Sequence, residues 1–288
     1  RVSVWAYLLC VLAAWFLLYA GGDRWMPATL LLFGPRWALS LPLPILVPLA
    51  AWLERRHLLV LCAAAVIVFG PVMGLCLPSL SPEPDGASIR VLTCNIGGGD
   101  FDAGKLRRLV EESAPDIVAL QECDEKTAAA VCPGWSLVCK QGLAVASRYP
   151  VTPARSRPAM HPPHKYPRLS LLQAVVAAPR GELSVCSVHL PSPRYGLSNL
   201  LDRRVGLNLA RRKMLDEERE LRGETSREIE KLVRSGGLPV IVAGDFNMPV
   251  ESAWYRQSWA GYENAFSRAG FGYGRTMKAE IRGFGFGI

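Results

Sequence analysis

An Asp and an Asn stand two residues apart in Gly244-Asp245-Phe246-Asn247-Met248-Pro249, directly after the apolar run 238–243. A short β-branched run closed by such a turn reads as a buried strand. Side chains two apart on a strand share a face, so both polar groups reach one centre at its end. Three earlier runs also finish in polar residues: Thr93-Cys94-Asn95, Leu120-Gln121-Glu122 and Ser187-Val188-His189. A carboxylate after the apolar residues 117–120 is a natural ligand for a hard cation. Asn95 offers an amide oxygen to a cation and an NH2 group to a carboxylate. An imidazole with a pKa near 6.5 donates a hydrogen bond or moves a proton near neutrality.

These groups meet only if strands deliver them to one edge. Residues 88–95 read as a strand and Gly97-Gly98-Gly99 as a tight turn. Residues 105–113 carry Leu106, Leu109 and Val110 at helical spacing, and 116–122 form the next strand. That β-α-β order suits packed layers of sheet and helix. Residues 142–147 are a further strand. Residues 169–177 and 182–189 make a hairpin across Pro179-Arg180-Gly181. A long charged helix is expected over 208–235, interrupted at Gly223, before the strand 238–245.

The first 80 residues are nearly free of acids. Residues 2–20, 37–53 and 58–77 are three apolar runs near the length needed to span a bilayer. Pro42, Pro44 and Pro48 lie in the second, which neighbouring helices can tolerate. Residues 1–78 therefore read as a membrane anchor, 79–87 as a linker rich in Pro and Ser, and 88–288 as one further domain. The turn Glu54-Arg55-Arg56-His57 is basic, whereas 78–89 hold no Lys or Arg. The positive-inside rule then places the N-terminus in the cytoplasm and the large domain outside. A net charge of +8 suits a polyanionic surface or substrate. Cys-x-x-Cys spacing is absent among the eight cysteines, which disfavours a thiolate zinc site, and Cys132 and Cys139 flank a turn where they could pair.

Together the four strand ends resemble the endonuclease/exonuclease/phosphatase superfamily over roughly residues 88–288. The resemblance implies an α/β (α+β) fold, a two-layer α/β sandwich of the DNase I-like type, here preceded by transmembrane helices. It implies a metal-dependent hydrolase of phosphate esters, a phosphodiesterase of nuclease-like or sphingomyelinase-like kind, using Mg²⁺ or Mn²⁺. Asn95 and Glu122 would serve the metal, and His189, Asp245 and Asn247 the catalysis, with water attacking the phosphate. Substrates would be nucleic acid or a phospholipid headgroup, met at a bacterial inner membrane. Ser147-Arg148-Tyr149-Pro150 resembles a family strand end, and His161, His164, Lys165 and Arg168 would flank the substrate. The Arg-rich stretch 203–213 would touch phosphates. The family closes with a strand and an Asp-His pair that this sequence lacks, as expected of a truncated chain. The competing expectation is a noncatalytic, membrane-tethered binding module that lost that motif.

Overall fold

A computed structural model describes residues 1–78, 88–97, 101–159, 168–193, 209–276, 278–281 and 284–287. The chain divides into two compact units, Arg1–Glu83 with Pro249–Ile288, and Pro84–Met248. The expected linker 79–87, together with His161, His164, Lys165 and residues 203–208, lies outside the described residues.

The unit Pro84–Met248 holds two four-stranded sheets. The first contains β1 (Val91–Asn95), β2 (Ile117–Gln121), β3 (Ser136–Lys140) and β4 (Leu143–Ser147), in the order β1-β2-β4-β3. The second contains β5 (Val151–Pro158), β6 (Leu169–Ala178), β7 (Gly181–His189) and β8 (Val240–Asp245), in sequential order. Each sheet ends in one parallel pair, β1 with β2 and β7 with β8. A parallel pair needs a crossover. Helices α5 (Ala103–Ser113) and α7 (Leu209–Arg234) stand between the paired strands in sequence.

The expected two-layer α/β sandwich is instead four layers, helix on sheet on sheet on helix, and the reason lies in β2 and β4. Every residue of both strands is buried, so both faces need cover. Val118, Leu120, Ala144 and Ala146 pack under α5 and α6 (Glu125–Val131), through Leu106, Val110, Ala128 and Val131. Ile117, Leu143 and Val145 face the other way and meet Leu172, Ala174, Val176 and Val185 of the second sheet. Helix α7 covers the outer side of that sheet, where Arg155 Nη1 donates to Leu232 O at 3.0 Å and Arg157 pairs with Glu228 at 2.6 Å. It runs unbroken through Gly223, because one glycine costs a helix only about 1 kcal/mol. Asp102 caps α5 by accepting from Gly104 and Lys105 N–H, and Asp124 caps α6 by accepting from Thr127 N–H.

In the other unit α1 (Val2–Phe16) continues through a π-helical turn, so Val2–Arg24 is one apolar helix of 23 residues. Arg36–Leu53 is a second, of 18 residues, ending in α3 (Leu43–Leu53). Both are long and apolar enough to cross a membrane. The expected third span is shorter, His57–Val72, beginning as α4 (His57–Ile67). Between the first two lies α2 (Met26–Phe33), which the sequence reading left out. Its eight residues rise only about 12 Å, too little to span.

Arg1, Arg56 and His57 all meet the Glu54 carboxylate at one end of these helices. At the other end the chain after Pro249 docks. Buried Asp23 accepts from Ser252 Oγ at 2.7 Å and from Ala253 N–H at 3.0 Å, holding the start of α8 (Ala253–Trp259). Arg36 donates to Val72 O and pairs with Glu251 at 3.1 Å. Cys76 and Gly272 exchange two backbone hydrogen bonds. Helix α9 (Ala265–Ala269) and the hairpin of β9 (Lys278–Ile281) and β10 (Phe284–Gly287) follow.

Candidate active site

The parallel pairs end at the same edge of the sandwich and carry the predicted residues there. Asn95 ends β1, paired across the ladder with Gln121, and Glu122 is the next residue of that neighbouring strand. His189 and Asp245 are partners at the ends of β7 and β8. Parallel strands present their last residues side by side, so each sheet contributes two polar groups.

Asn95 joins the two sheets. Its Nδ2 donates to Asp245 Oδ2 at 2.9 Å and stands 3.4 Å from Glu122 Oε1. Its Oδ1 accepts from Gly97 N–H at 2.9 Å, which turns the amide nitrogen toward the carboxylates. His189 Nε2 lies 3.8 Å from Glu122 Oε1 and 4.0 Å from Asp245 Oδ2. Arg168, expected in a substrate-flanking loop, reaches Glu122 Oε2 at 3.7 Å. Asn247 stands slightly apart from this cluster. Its N–H donates to Asp245 Oδ1 at 2.9 Å and its Nδ2 to Leu190 O at 2.8 Å. It therefore ties the turn after Asp245 to the residue after His189.

Local backbone makes this convergence possible. Glu122 and Asn247 adopt positive φ angles of 55° and 51°. Such conformations cost non-glycine residues of order 1 kcal/mol or more and persist where the surroundings hold them. Gly244 is required for a different reason. Its φ is +146°, and a Cβ there would fall 2.0 Å from Val188 O on the paired strand. Only glycine lets β7 and β8 approach this closely just before His189 and Asp245. Beneath the site, buried Gln121 donates to Ser187 Oγ at 3.1 Å, bridging the sheets, and its Nε2 lies 3.3 Å from Thr93 Oγ1.

Glu122 and Asp245 bring two carboxylates to one amide. Among the described residues the only Lys or Arg within ion-pair distance of either is Arg168, and it meets Glu122 alone. Two converging carboxylates with so little compensation favour a cation. The donors are oxygen-rich, which suits a hard divalent ion such as Mg²⁺ or Mn²⁺. Among the described residues no group of three His, Cys, Asp or Glu could hold a metal. Magnesium is satisfied by fewer, taking one or two carboxylates with water and substrate phosphate.

The neighbouring thiols are inert. Burial pushes Cys123 up to about 12 and Cys186 up to about 11, so both stay protonated at neutral pH. Cys132 and Cys139 are both free.

Residues 92–286 match the family model described as Endonuclease/Exonuclease/phosphatase family. The chain belongs to the endonuclease/exonuclease/phosphatase family. As a member of this hydrolase family it is similar to a humanized D. rerio TDP2 with 14 mutations, at 20% identity and TM-score 0.41, over 58% of this chain and 66% of that one. It is also similar to an endonuclease/exonuclease/phosphatase from Beutenbergia cavernae, at 21% identity and TM-score 0.40, over 56% and 48%. Sphingomyelinase C from Streptomyces griseocarneus is a third, at 18% identity and TM-score 0.41, over 61% and 70%. The chain thus spans less than two thirds of the length of the first two. No curated protein matches it.

Four of the five residues expected from the sequence, Asn95, Glu122, His189 and Asp245, come together at this edge, whereas their supports were not expected. Gln121 was visible in the strand-end motif, yet its partner Ser187 emerges only when the sheets stack. Gly244 was visible as part of a turn, yet its need comes from the approach of Val188.

Proposed function

We propose that this family member is a metal-dependent phosphodiesterase whose centre is the cluster Asn95, Glu122, His189 and Asp245. The observation that carries the reading is the single amide of Asn95 facing both carboxylates, with His189 Nε2 within 4.0 Å of each. Glu122 would hold the cation, with Asn95 orienting the carboxylate. When bound, Mg²⁺ or Mn²⁺ supplies charge neutralisation on the phosphoryl oxygens. Asp245 orients a water and takes its proton as the water oxygen attacks phosphorus and the ester oxygen leaves. His189 donates to a nonbridging phosphoryl oxygen, where negative charge grows. Asn247 is a positioning residue that fixes the turns carrying Asp245 and His189.

The substrate is a phosphodiester, either nucleic acid or a phospholipid headgroup, and the site lies outside the cytoplasm of a membrane-anchored protein. Support for the anchor comes from exposure. Only 22% and 17% of the most apolar stretches of Val2–Arg24 and Arg36–Leu53 are buried, unlike core helices of a soluble protein. The basic turn at Arg55 and Arg56 supports the orientation.

The test is Mg²⁺-dependent hydrolysis of bis-p-nitrophenyl phosphate by the whole chain in detergent. Glu122→Ala, Asp245→Ala and Asn95→Ala are each expected to lower kcat/KM by about 100-fold or more. Wild-type rates in all three variants would overturn the assignment.

A further inference from the structure

At the end of the helices opposite Arg1 and Glu54, the unit of Arg1–Glu83 with Pro249–Ile288 contains an open groove of ≈ 510 Å³. Trp15, Leu18 and Tyr19 line it from the first helix, Pro71 from the third, Leu75 from the segment after it, and Arg256 from α8. We propose that this groove binds one anionic phospholipid of the surrounding bilayer, separate from any lipid acted on at the catalytic site. The inference rests on the membrane-anchored reading above.

Three observations support this occupant. The first is apolar lining at a helix end. Trp15 and Leu75, 39% and 37% exposed, offer an acyl chain a surface that continues the apolar sides of the helices. The second is the aromatic fringe. Trp15, Phe16, Tyr19 and Trp25 are 39%, 70%, 69% and 57% exposed around the same helix end. Amphipathic rings gather at the headgroup level of a bilayer. The third is charge. Arg256 donates to Glu251 O and Tyr19 O, and its guanidinium lies over the Tyr19 ring. The Glu251 carboxylate itself pairs with Arg36. Arg24, which does not line the groove, donates to Gln257 and lies over Trp254. Among the described residues neither Arg24 nor Arg256 has a carboxylate within ion-pair distance. The Arg256 guanidinium beside an apolar slot, whose lining carboxylate Glu251 is taken up by Arg36, complements a lipid phosphate with a net negative headgroup.

The experiment uses the whole chain in nanodiscs with equal phosphatidylglycerol and phosphatidylcholine, followed by release into detergent and native mass spectrometry. Retained phosphatidylglycerol should exceed phosphatidylcholine about fivefold, from one basic group near the headgroup. Arg256→Gln should reduce that preference several-fold, while Arg256→Lys, which keeps the charge, should retain most of it. Leu75→Trp fills the slot without altering charge and should lower retention of both lipids. Equal retention of the two lipids by wild type would overturn the site, as would unchanged retention in Leu75→Trp. Carbonate extraction of native membranes separates the two readings. A chain that resists extraction yet shows no lipid preference defeats the groove alone, whereas a chain that washes off defeats the anchor and the groove together.

Discussion

Gly244→Ala tests whether close approach of β7 and β8 builds the site. The added Cβ would stand 2.0 Å from Val188 O and 2.8 Å from Val188 N, where real contacts stay beyond 3.0 Å. The carbonyl must therefore retreat by about 1 Å. Overpacking of that kind costs about 1–3 kcal/mol. Holding alanine at a φ of +146° adds about another 1–3 kcal/mol. The expected loss is thus about 2–6 kcal/mol, a large part of a typical stability of about 5–15 kcal/mol. Urea unfolding of the whole chain in detergent should show the midpoint falling by about 1–2 M. The same movement displaces Asp245 from Asn95 and His189, and about 1 Å at a reacting group costs about 100-fold in rate. Gly237→Ala is the control, since nothing lies within 4 Å of its added Cβ. It should stay within about 0.5 kcal/mol of wild type. If Gly244→Ala matches that control in both stability and hydrolysis, the strand contact does not build the site.

Two further outcomes follow from buried groups. Asp23→Ala removes the acceptor shared by Ser252 Oγ and the Ala253 and Trp254 N–H groups. Hydrogen exchange across residues 252–259 should speed by about tenfold or more, from about 1–3 kcal/mol of lost buried hydrogen bonding; unchanged exchange would show that Asp23 does not hold α8. Cys123, Cys132, Cys139 and Cys186 have thiols pushed up to about 12, 11, 11 and 11 by burial. In the folded protein at pH 8 all four should resist iodoacetamide, because at a pKa near 11 only about one thiol in a thousand is ionised. Their raised values favour folding fully below the unfolded pKa near 9, and that contribution fades as pH rises toward 11–12. A protein equally stable at pH 8 and pH 11 contradicts this.

The positions of the candidate residues were legible because strand ends have a local grammar, while their proposed roles came from the family resemblance. An apolar run closed by Asn, Glu, His or Gly-Asp-x-Asn needs no distant contact to be read. The hairpin at Pro179-Arg180 and the crossover strands followed from the same periodicities. The four described strands that were missed, β3, β5, β9 and β10, do not close in that pattern. Strand β5 carries Pro153, Pro158 and two arginines, and its register shifts twice against β6. Proline and charge belong on such an edge strand, but only the finished sheet shows that there is an edge.

The sequence by itself determined the identities of Asn95, Glu122, His189 and Asp245, their strand-end positions and the apolar helices before them. Periodicity and turn chemistry are local properties, so a single chain carries them openly. Only the tertiary structure decided that Asn95 of one sheet bonds to Asp245 of the other, 150 residues away. It alone placed Gln121 against Ser187, and Asp23 at the start of α8. Those pairings depend on which faces of two sheets, or which ends of several helices, come together. Burial of the whole core sets that choice, and no short stretch of sequence records it.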